Sequence, residues 1–156
     1  MASGRKWYCA ERYAHRDGYI KNKDLDGKVL ESNDGLKRFG DCPSTMTTSL
    51  DYESLVRDWC THIDEIPEGS PGHKADVRQS EDAGRYLCDY IYFNSLAYFG
   101  RKCGDVEGGA CTARPVLFLH VPAESDATTL ANGRAVAMAL IQAMANDLAT
   151  STTAND

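Results

Sequence analysis

Residues 115–120 of the sequence read PVLFLH, and this short stretch decides the fold class. The uninterrupted apolar run 115–119 is typical of a strand buried on both faces of a parallel sheet. His120 follows at the carboxyl end of that strand. Because a buried parallel strand needs helices on both faces of its sheet, the flanking sequence is expected to alternate between strands and helices.

The sequence on either side shows this alternation. Residues 7–14 mix aromatic and polar side chains and are predicted to form a strand, and residues 75–79 a shorter one. Residues 49–61 place apolar side chains at helical spacing, with Ser49 or Asp51 as the N-cap. The pattern predicts an α/β protein with a mostly parallel sheet.

Two further helices are predicted, one before and one after residues 115–120. The first extends from an N-cap at Asp82 to a stop at Gly100. The residues that recur down one side of it are Leu87, Ile91, Ser95 and Tyr98. The second covers residues 128–149, where one face is predicted to hold Leu130, Ala137, Leu140, Ile141, Met144 and Leu148.

The connecting segments are rich in turn-forming residues. Residues 15–41 are dense in Gly, Asp, Asn and Lys and are predicted to form a long loop, the kind of segment that often has a function. Residues 67–73 form a Pro/Gly/Ser break, and residues 101–112 form a Gly-rich loop.

Length and charge limit the classes of function. A chain of 156 residues with 42% apolar composition predicts one domain, residues 1–149, followed by a flexible tail, residues 150–156. The net charge of -6 argues against binding to nucleic acid or to an anionic membrane. The longest apolar run, 135–141, is too short to span a bilayer, and no secretory signal is recognised. We therefore expect a cytosolic protein.

The six cysteines could form disulfide bonds or bind a metal. They are dispersed along the chain, and no Cys-x-x-Cys pair occurs, so neither a disulfide framework nor a zinc site is favoured. A thiol nucleophile with a histidine general base is a further possibility, and Cys88 and His120 fit these roles by position. From the residues alone, Cys88 is no better a candidate than its five companions, and a histidine such as His120 is more often structural than a general base.

Three ordered motifs resolve this choice. Residues 80–90, SEDAGRYLCDY, resemble the nucleophile segment of the pyroglutamyl-peptidase I family of cysteine peptidases. Residues 118–122, FLHVP, resemble that family's histidine motif, and residues 10–15, AERYAH, followed by Gly18 and Tyr19, resemble the segment with its catalytic acid.

The resemblance implies a role for each residue. Cys88 is then the nucleophile, His120 the general base and acid, and Glu11 the acid that orients the imidazole. Glu11 could instead be a solvated strand charge paired with Arg12. Tyr86 and Leu87 are candidates for a small apolar substrate pocket. With Asp82 as the N-cap, Cys88 would lie beyond the first helical turn, where the helix dipole has largely faded.

The resemblance also implies the fold, the reaction and the partners. The fold would be a three-layer αβα sandwich of the phosphorylase/hydrolase-like type. The reaction would be hydrolysis of the bond after an N-terminal 5-oxoproline residue, so the partners would be peptides with N-terminal pyroglutamate. No metal or other cofactor is implied, and the family includes both monomers and oligomers.

The family's opening strand, with its Gly-Phe-x-Pro-Phe motif, has no counterpart in the sequence, so N-terminal strands and part of the substrate pocket are expected to be missing. Loss of strands from a parallel sheet predicts poor solubility and little activity. Two alternatives stay open. The missing strands leave open a truncated, catalytically inactive family member or binding fragment. The six cysteines and four histidines leave open a thiol-rich redox or metal protein.

Overall fold

The computed structural model describes residues 5–104 and 114–153. In chain order, its elements are β1 (Tyr8–Glu11), β2 (Tyr13–His15), a 3-10 helix (Tyr19–Lys21), α1 (Asp34–Phe39), β3 (Thr45–Thr47), α2 (Tyr52–Asp64), β4 (Val77–Ser80), α3 (Leu87–Lys102), β5 (Phe118–His120) and α4 (Ala127–Thr153). Contacts divide the chain into two compact units. The first comprises the described residues of Met1–Glu11, Leu50–Ser80 and Leu119–Asp156, and the second those of Arg12–Ser49 and Glu81–Phe118.

The first unit is built on a three-stranded sheet with the order β4-β1-β5. Strand β1 pairs in parallel with β4, from Tyr8 opposite Val77 to Glu11 opposite Ser80. All four residues of β1 are buried because this strand lies between two others. The prediction of an α/β protein with parallel strands is confirmed.

Helices α2 and α4 complete the first unit. The Asp51 side chain accepts a hydrogen bond from the Ser54 backbone N–H at 3.2 Å, so the predicted capping role of Asp51 is confirmed. The buried side of α2 consists of Tyr52, Leu55, Trp59 and Ile63. The Trp59 indole N–H donates to the Val136 carbonyl of α4 at 3.1 Å, which fixes how the two helices pack.

The buried side of α4 differs from the predicted one. Leu140 is buried as expected, but Leu130 and Ile141 are largely exposed. Val136, Ala139 and Ala143 are buried instead. Small side chains allow α4 to approach α2 closely, a preference that a pattern of large apolar residues does not reveal.

The second unit combines an antiparallel pair of strands with α3. Strand β2 pairs with β3, with Ala14 opposite Met46, and α3 packs against both strands. Its apolar core consists of Ala14, Phe39, Cys42, Met46, Tyr92, Phe93, Leu96 and Ala97. The predicted side of α3 is wrong, because Leu87, Ile91 and Tyr98 are exposed and the neighbouring side is buried. The predicted stop at Gly100 is also wrong, since Gly100 is buried inside α3.

The predicted strand over residues 7–14 is two strands. The chain leaves β1 after Glu11 and enters β2 at Tyr13, where it pairs with a strand that the sequence did not predict. The predicted loop 15–41 contains the 3-10 helix and α1. The Gly-rich loop 101–112 lies mostly outside the described residues, and the single domain stays a prediction. Helix α4 extends to Thr153, into the segment predicted as a flexible tail.

Among the residues that the structure describes, no helix is both long and apolar enough to cross a membrane.

Leu55 provides a test of the α2–α4 packing, because its side chain is fully buried. Leu55→Ala should lower the free energy of unfolding by about 2–5 kcal/mol through lost burial and the cavity that remains. Leu130→Ala is the matched control, since Leu130 is 59% exposed, and it should change the free energy of unfolding by less than about 0.5 kcal/mol. Urea denaturation of both variants would measure the difference, and equal effects would contradict the packing described.

Candidate functional site

Glu11 is a fully buried carboxylate at the end of the central strand of the first unit. It is the last residue of β1, opposite Ser80, which is the last residue of the parallel strand β4. Ligands of parallel sheets bind beyond the carboxyl ends of the strands, so this position favours a functional role. Its complete burial rules out the alternative of a solvated strand charge.

His120 is the direct partner of Glu11. It is the last residue of β5, the strand that adjoins β1, and is buried. Its Nδ1 lies 2.6 Å from Glu11 Oε1. A hydrogen bond from Nδ1–H to a carboxylate fixes both the ring orientation and the tautomer, so the lone pair of the neutral imidazole is on Nε2.

Other groups in the first unit hold Glu11 in its charged form. Arg5 Nη1 donates to Glu11 Oε1 at 3.3 Å. Burial by itself would raise the pKa of Glu11, but hydrogen bonds from His120, Ser80 and Arg5 and the electrostatic attraction of His120 outweigh it, so the pKa lies below its usual value. Glu11 is therefore a carboxylate at neutral pH.

The ends of β1 and β4 are also fixed by a buried tyrosine. The Tyr52 hydroxyl donates to the Ala10 carbonyl at 2.8 Å and accepts from the Ser80 backbone N–H at 3.3 Å. A single side chain of α2 thus links the residue before Glu11 to the residue opposite it.

Cys88 belongs to the second unit and is the second residue of α3. The predicted N-cap at Asp82 is wrong, because the helix starts at Leu87 with Tyr86 as the capping residue. Asp82 instead accepts a hydrogen bond from the Gly84 N–H at 3.0 Å, and the positive φ of Gly84 turns the chain before the helix begins. The half-buried thiol therefore lies in the first turn, where the helix dipole is strongest.

Tyr86 and Leu87 are both largely exposed, at 67% and 68%. They line an open groove of about 590 Å³ in the second unit. Its other apolar side chains are Tyr19, Leu25, Val29, Leu30 and Tyr90. Since ligand pockets are mainly apolar with a few polar groups, this groove fits the predicted location of a substrate pocket but is larger and more open than expected.

The structure brings Glu11 and His120 into direct contact in the first unit, and it places Cys88, Tyr86 and Leu87 together in the second. Sequence reasoning missed Arg5, Ser80 and Asp89. Asp89 directly follows Cys88 in the nucleophile motif, and its burial had no signal beyond that position.

Metal and disulfide chemistry receive no support from the described residues. Within them, no group of three or more His, Cys, Asp or Glu side chains is arranged to hold a metal ion. The five described cysteines, Cys9, Cys42, Cys60, Cys88 and Cys103, are free thiols. Cys111 lies outside the described residues.

Comparison with known proteins gives a match only through structure. No protein-family model matches the sequence. A search of curated proteins gives no match either. Solved structures match over most of the chain, among them the pyrrolidone carboxyl peptidase from Thermococcus litoralis, with a TM-score of 0.66 and 17% identity over 97% of this chain and 65% of that chain. The chain has the pyrrolidone carboxyl peptidase fold.

Two further structures have the same fold. A mutant pyrrolidone carboxyl peptidase from Pyrococcus furiosus gives a TM-score of 0.64 with 18% identity over 95% of this chain and 67% of that one. Pyroglutamyl peptidase I from Bacillus amyloliquefaciens gives a TM-score of 0.60 with 17% identity over 92% of this chain and 62% of that one. The resemblance to pyroglutamyl peptidase I is thus confirmed for the fold. The chain spans about two thirds of the length of these pyrrolidone carboxyl peptidases.

The pair formed by Glu11 and His120 can be tested through stability. Because the pKa of Glu11 is lowered in the folded protein, its charge stabilises the fold above the pKa of an unfolded Glu, and this contribution is lost as the pH falls through the folded-state pKa. Glu11→Gln should lower the free energy of unfolding at pH 7 by about 1–3 kcal/mol. The difference in the free energy of unfolding between Glu11→Gln and wild type should become smaller below about pH 4.3.

Urea denaturation across this pH range measures the gap. Glu68→Gln is the control because Glu68 is exposed, and it should show no such pH-dependent difference. If the gap for Glu11→Gln stays constant into acid, Glu11 is not a stabilising carboxylate.

Proposed function

We propose that this chain is a cysteine-type omega peptidase of the pyroglutamyl-peptidase I kind. It would hydrolyse the peptide bond that follows an N-terminal 5-oxoproline residue. The observation that carries the proposal is the buried pair of Glu11 and His120, at adjoining strand ends of a fold shared with proteins named as pyroglutamyl peptidases.

His120 is the proposed general base and acid. Its Nδ1 proton is held by the Glu11 carboxylate at 2.6 Å, so the neutral ring has Nε2 for accepting a proton. When His120 becomes positively charged, the adjacent carboxylate stabilises that charge. Glu11 thus orients the ring and supports its protonated form, the role of the acid in a nucleophile–histidine–acid arrangement.

Cys88 is the proposed nucleophile. The pairing with His120 comes from the ordered sequence motifs, and the second unit adds two supporting features. The thiol is half-buried and therefore accessible, and it lies in the first turn of a 16-residue helix. A position at the N-terminal end of a helix, where the backbone dipoles attract negative charge, suits a nucleophilic cysteine.

The proposed reaction proceeds through an acyl-enzyme. The Cys88 thiol gives its proton to His120, and the sulfur forms a bond to the carbonyl carbon of the 5-oxoproline residue. The C–N bond then breaks, and the leaving amine takes the proton from His120. A water molecule, deprotonated by His120, hydrolyses the thioester and restores the thiol. No cofactor takes part in any step.

The proposed substrate site is the groove lined by Tyr86 and Leu87, the two residues that precede Cys88 in the sequence. Tyr86 and Leu87 present apolar surface suited to a neutral lactam ring, and the remaining length of the groove would hold residues that follow it. Peptides with N-terminal pyroglutamate are therefore the proposed partners. A cytosolic location belongs to the same proposal because free thiols at Cys9, Cys42, Cys60 and Cys88 suit a reducing compartment.

Hydrolysis of a fluorogenic pyroglutamyl amide tests the reaction directly. Cys88→Ala should lower the rate by about a thousandfold or more, because the acyl-enzyme cannot form. Cys60→Ala is the matched control, since Cys60 is also a half-buried helical thiol, and it should keep the wild-type rate. Hydrolysis that persists in Cys88→Ala would rule out Cys88 as the nucleophile.

Thiol alkylation followed by mass spectrometry tests the activation of Cys88 without any substrate. Burial raises the pKa of Cys60, so near neutral pH Cys88 should react at least about tenfold faster than Cys60. His120→Asn should slow alkylation of Cys88 and leave that of Cys60 unchanged. Equal rates for the two thiols in the wild-type chain, together with no amide hydrolysis, would instead favour a non-catalytic binding protein on this fold.

A further inference from the structure

Asp89 is a buried carboxyl group in the first turn of α3, directly after Cys88. Its side chain is fully buried, which is rare for an acidic residue unless other groups satisfy it. None of the roles proposed above uses it, and it belongs to the same unit as Cys88.

The contacts of Asp89 link the start of α3 to two other elements. Its Oδ1 accepts a hydrogen bond from the His15 backbone N–H at 3.2 Å, and His15 Nδ1 lies 3.4 Å from the same oxygen. Its Oδ2 lies 2.7 Å from the Tyr19 hydroxyl oxygen. The first turn of α3 is therefore tied to the last residue of β2 and to the 3-10 helix.

The protons available at Tyr19 show which form of Asp89 fits these contacts. The Tyr19 hydroxyl oxygen is also 2.5 Å from the His15 carbonyl oxygen, which only accepts. A hydroxyl has one proton and cannot donate it at full strength to two acceptors. If the Asp89 carboxyl is neutral, it donates from Oδ2 to the Tyr19 oxygen, Tyr19 donates to His15, and each contact has its own proton.

The surrounding charges do not reverse this assignment. Arg85 Nη1 is 3.7 Å from Asp89 Oδ2, but it pairs more closely with Asp82, at 2.6 Å. The imidazole Nδ1 of His15 is at the edge of hydrogen-bond range of Asp89 Oδ1. The ring of Tyr90 packs edge-on against that of Tyr19. Burial raises the pKa of Asp89 despite the hydrogen bonds and charges of Tyr19, His15 and Arg85. Burial and the adjacent Asp89 also raise the pKa of Tyr19, so both shifts act in the direction that the contacts require.

We propose that Asp89 is a positioning residue for Cys88 that acts as a neutral carboxylic acid, hydrogen-bonded to Tyr19 and His15. The inference rests on the proposed function of Cys88. As a neutral acid, Asp89 fixes the first turn of α3 without placing a second negative charge beside the Cys88 thiolate. An ionised carboxylate at the adjacent position would disfavour the thiolate by repulsion between like charges.

Asp89→Asn reproduces the hydrogen bonds of the neutral acid, because the amide group donates to Tyr19 and the amide oxygen accepts from His15. The rate of Cys88 alkylation and its pH midpoint in Asp89→Asn should therefore stay within about threefold and about half a pH unit of wild type. Asp89→Ala, which loses both contacts, should slow Cys88 alkylation by about tenfold or more. Asp82→Asn is the control for removal of an exposed charge from the same segment.

Two alkylation results would overturn the proposal. A lower pH midpoint for Cys88 in Asp89→Asn would show that the wild-type carboxyl is charged. If the Asp89→Ala variant folds and its Cys88 is alkylated at the wild-type rate, Asp89 does not position Cys88.

Stability provides a readout that does not depend on the function of Cys88. A carboxyl whose pKa is raised by folding costs stability as the pH rises above its unfolded pKa, and Asn has no such cost. The urea midpoint of Asp89→Asn, relative to that of wild type, should therefore rise as the pH is raised from about 4 to about 7. This range extends from the unfolded pKa of Asp, about 3.9, to neutral pH. A fall of this urea midpoint would show that Asp89 is not neutral and would overturn the proposal. If the urea midpoint rises but Cys88 of the wild-type chain is alkylated slowly, only the proposed function is rejected.

Discussion

The first unit is organised around one buried hydrogen bond, between the Glu11 carboxylate and the His120 imidazole. A charge inside a protein is costly unless it is paired and hydrogen-bonded, so the surrounding structure has to supply partners. Arg5, Ser80 and His120 provide them at the strand ends. The order β4-β1-β5 follows the same requirement, because it places Glu11 between the strands that end in Ser80 and His120.

The second unit uses its buried carboxyl differently. Glu11 is surrounded by groups that lower its pKa, whereas burial raises the pKa of Asp89 against weaker partners. The two acids are thus biased towards opposite protonation states by their environments. In the proposed function, Glu11 supports the protonated form of His120, and a neutral Asp89 would place no second negative charge beside Cys88. Such separation of pKa values is how proteins assign acid–base roles at one pH.

Much of this could be predicted from the sequence. The apolar run before His120 predicted a strand, and the three ordered motifs pointed to Glu11, Cys88 and His120. The strand is shorter than predicted, since only Phe118–His120 form it, and Phe118 and Leu119 are half-buried and not fully buried. Helix boundaries were less predictable: Asp82 resembles an N-cap, but Gly84 at positive φ delays the helix to Leu87. The short strand β3 and the buried side of α3 depend on tertiary pairing with β2, which no local pattern contains.

The pairing of Glu11 with His120 also has a consequence for biosynthesis. The two residues are 109 positions apart, so the acid leaves the ribosome long before its partner has been translated. Until then β1 lacks β5, and the Glu11 carboxylate has no imidazole to donate a hydrogen bond to it. Contacts between such distant segments close slowly and leave apolar strands open to aggregation in the meantime. Strand β1 therefore stays without its neighbour β5 until residues 118–120 have been translated.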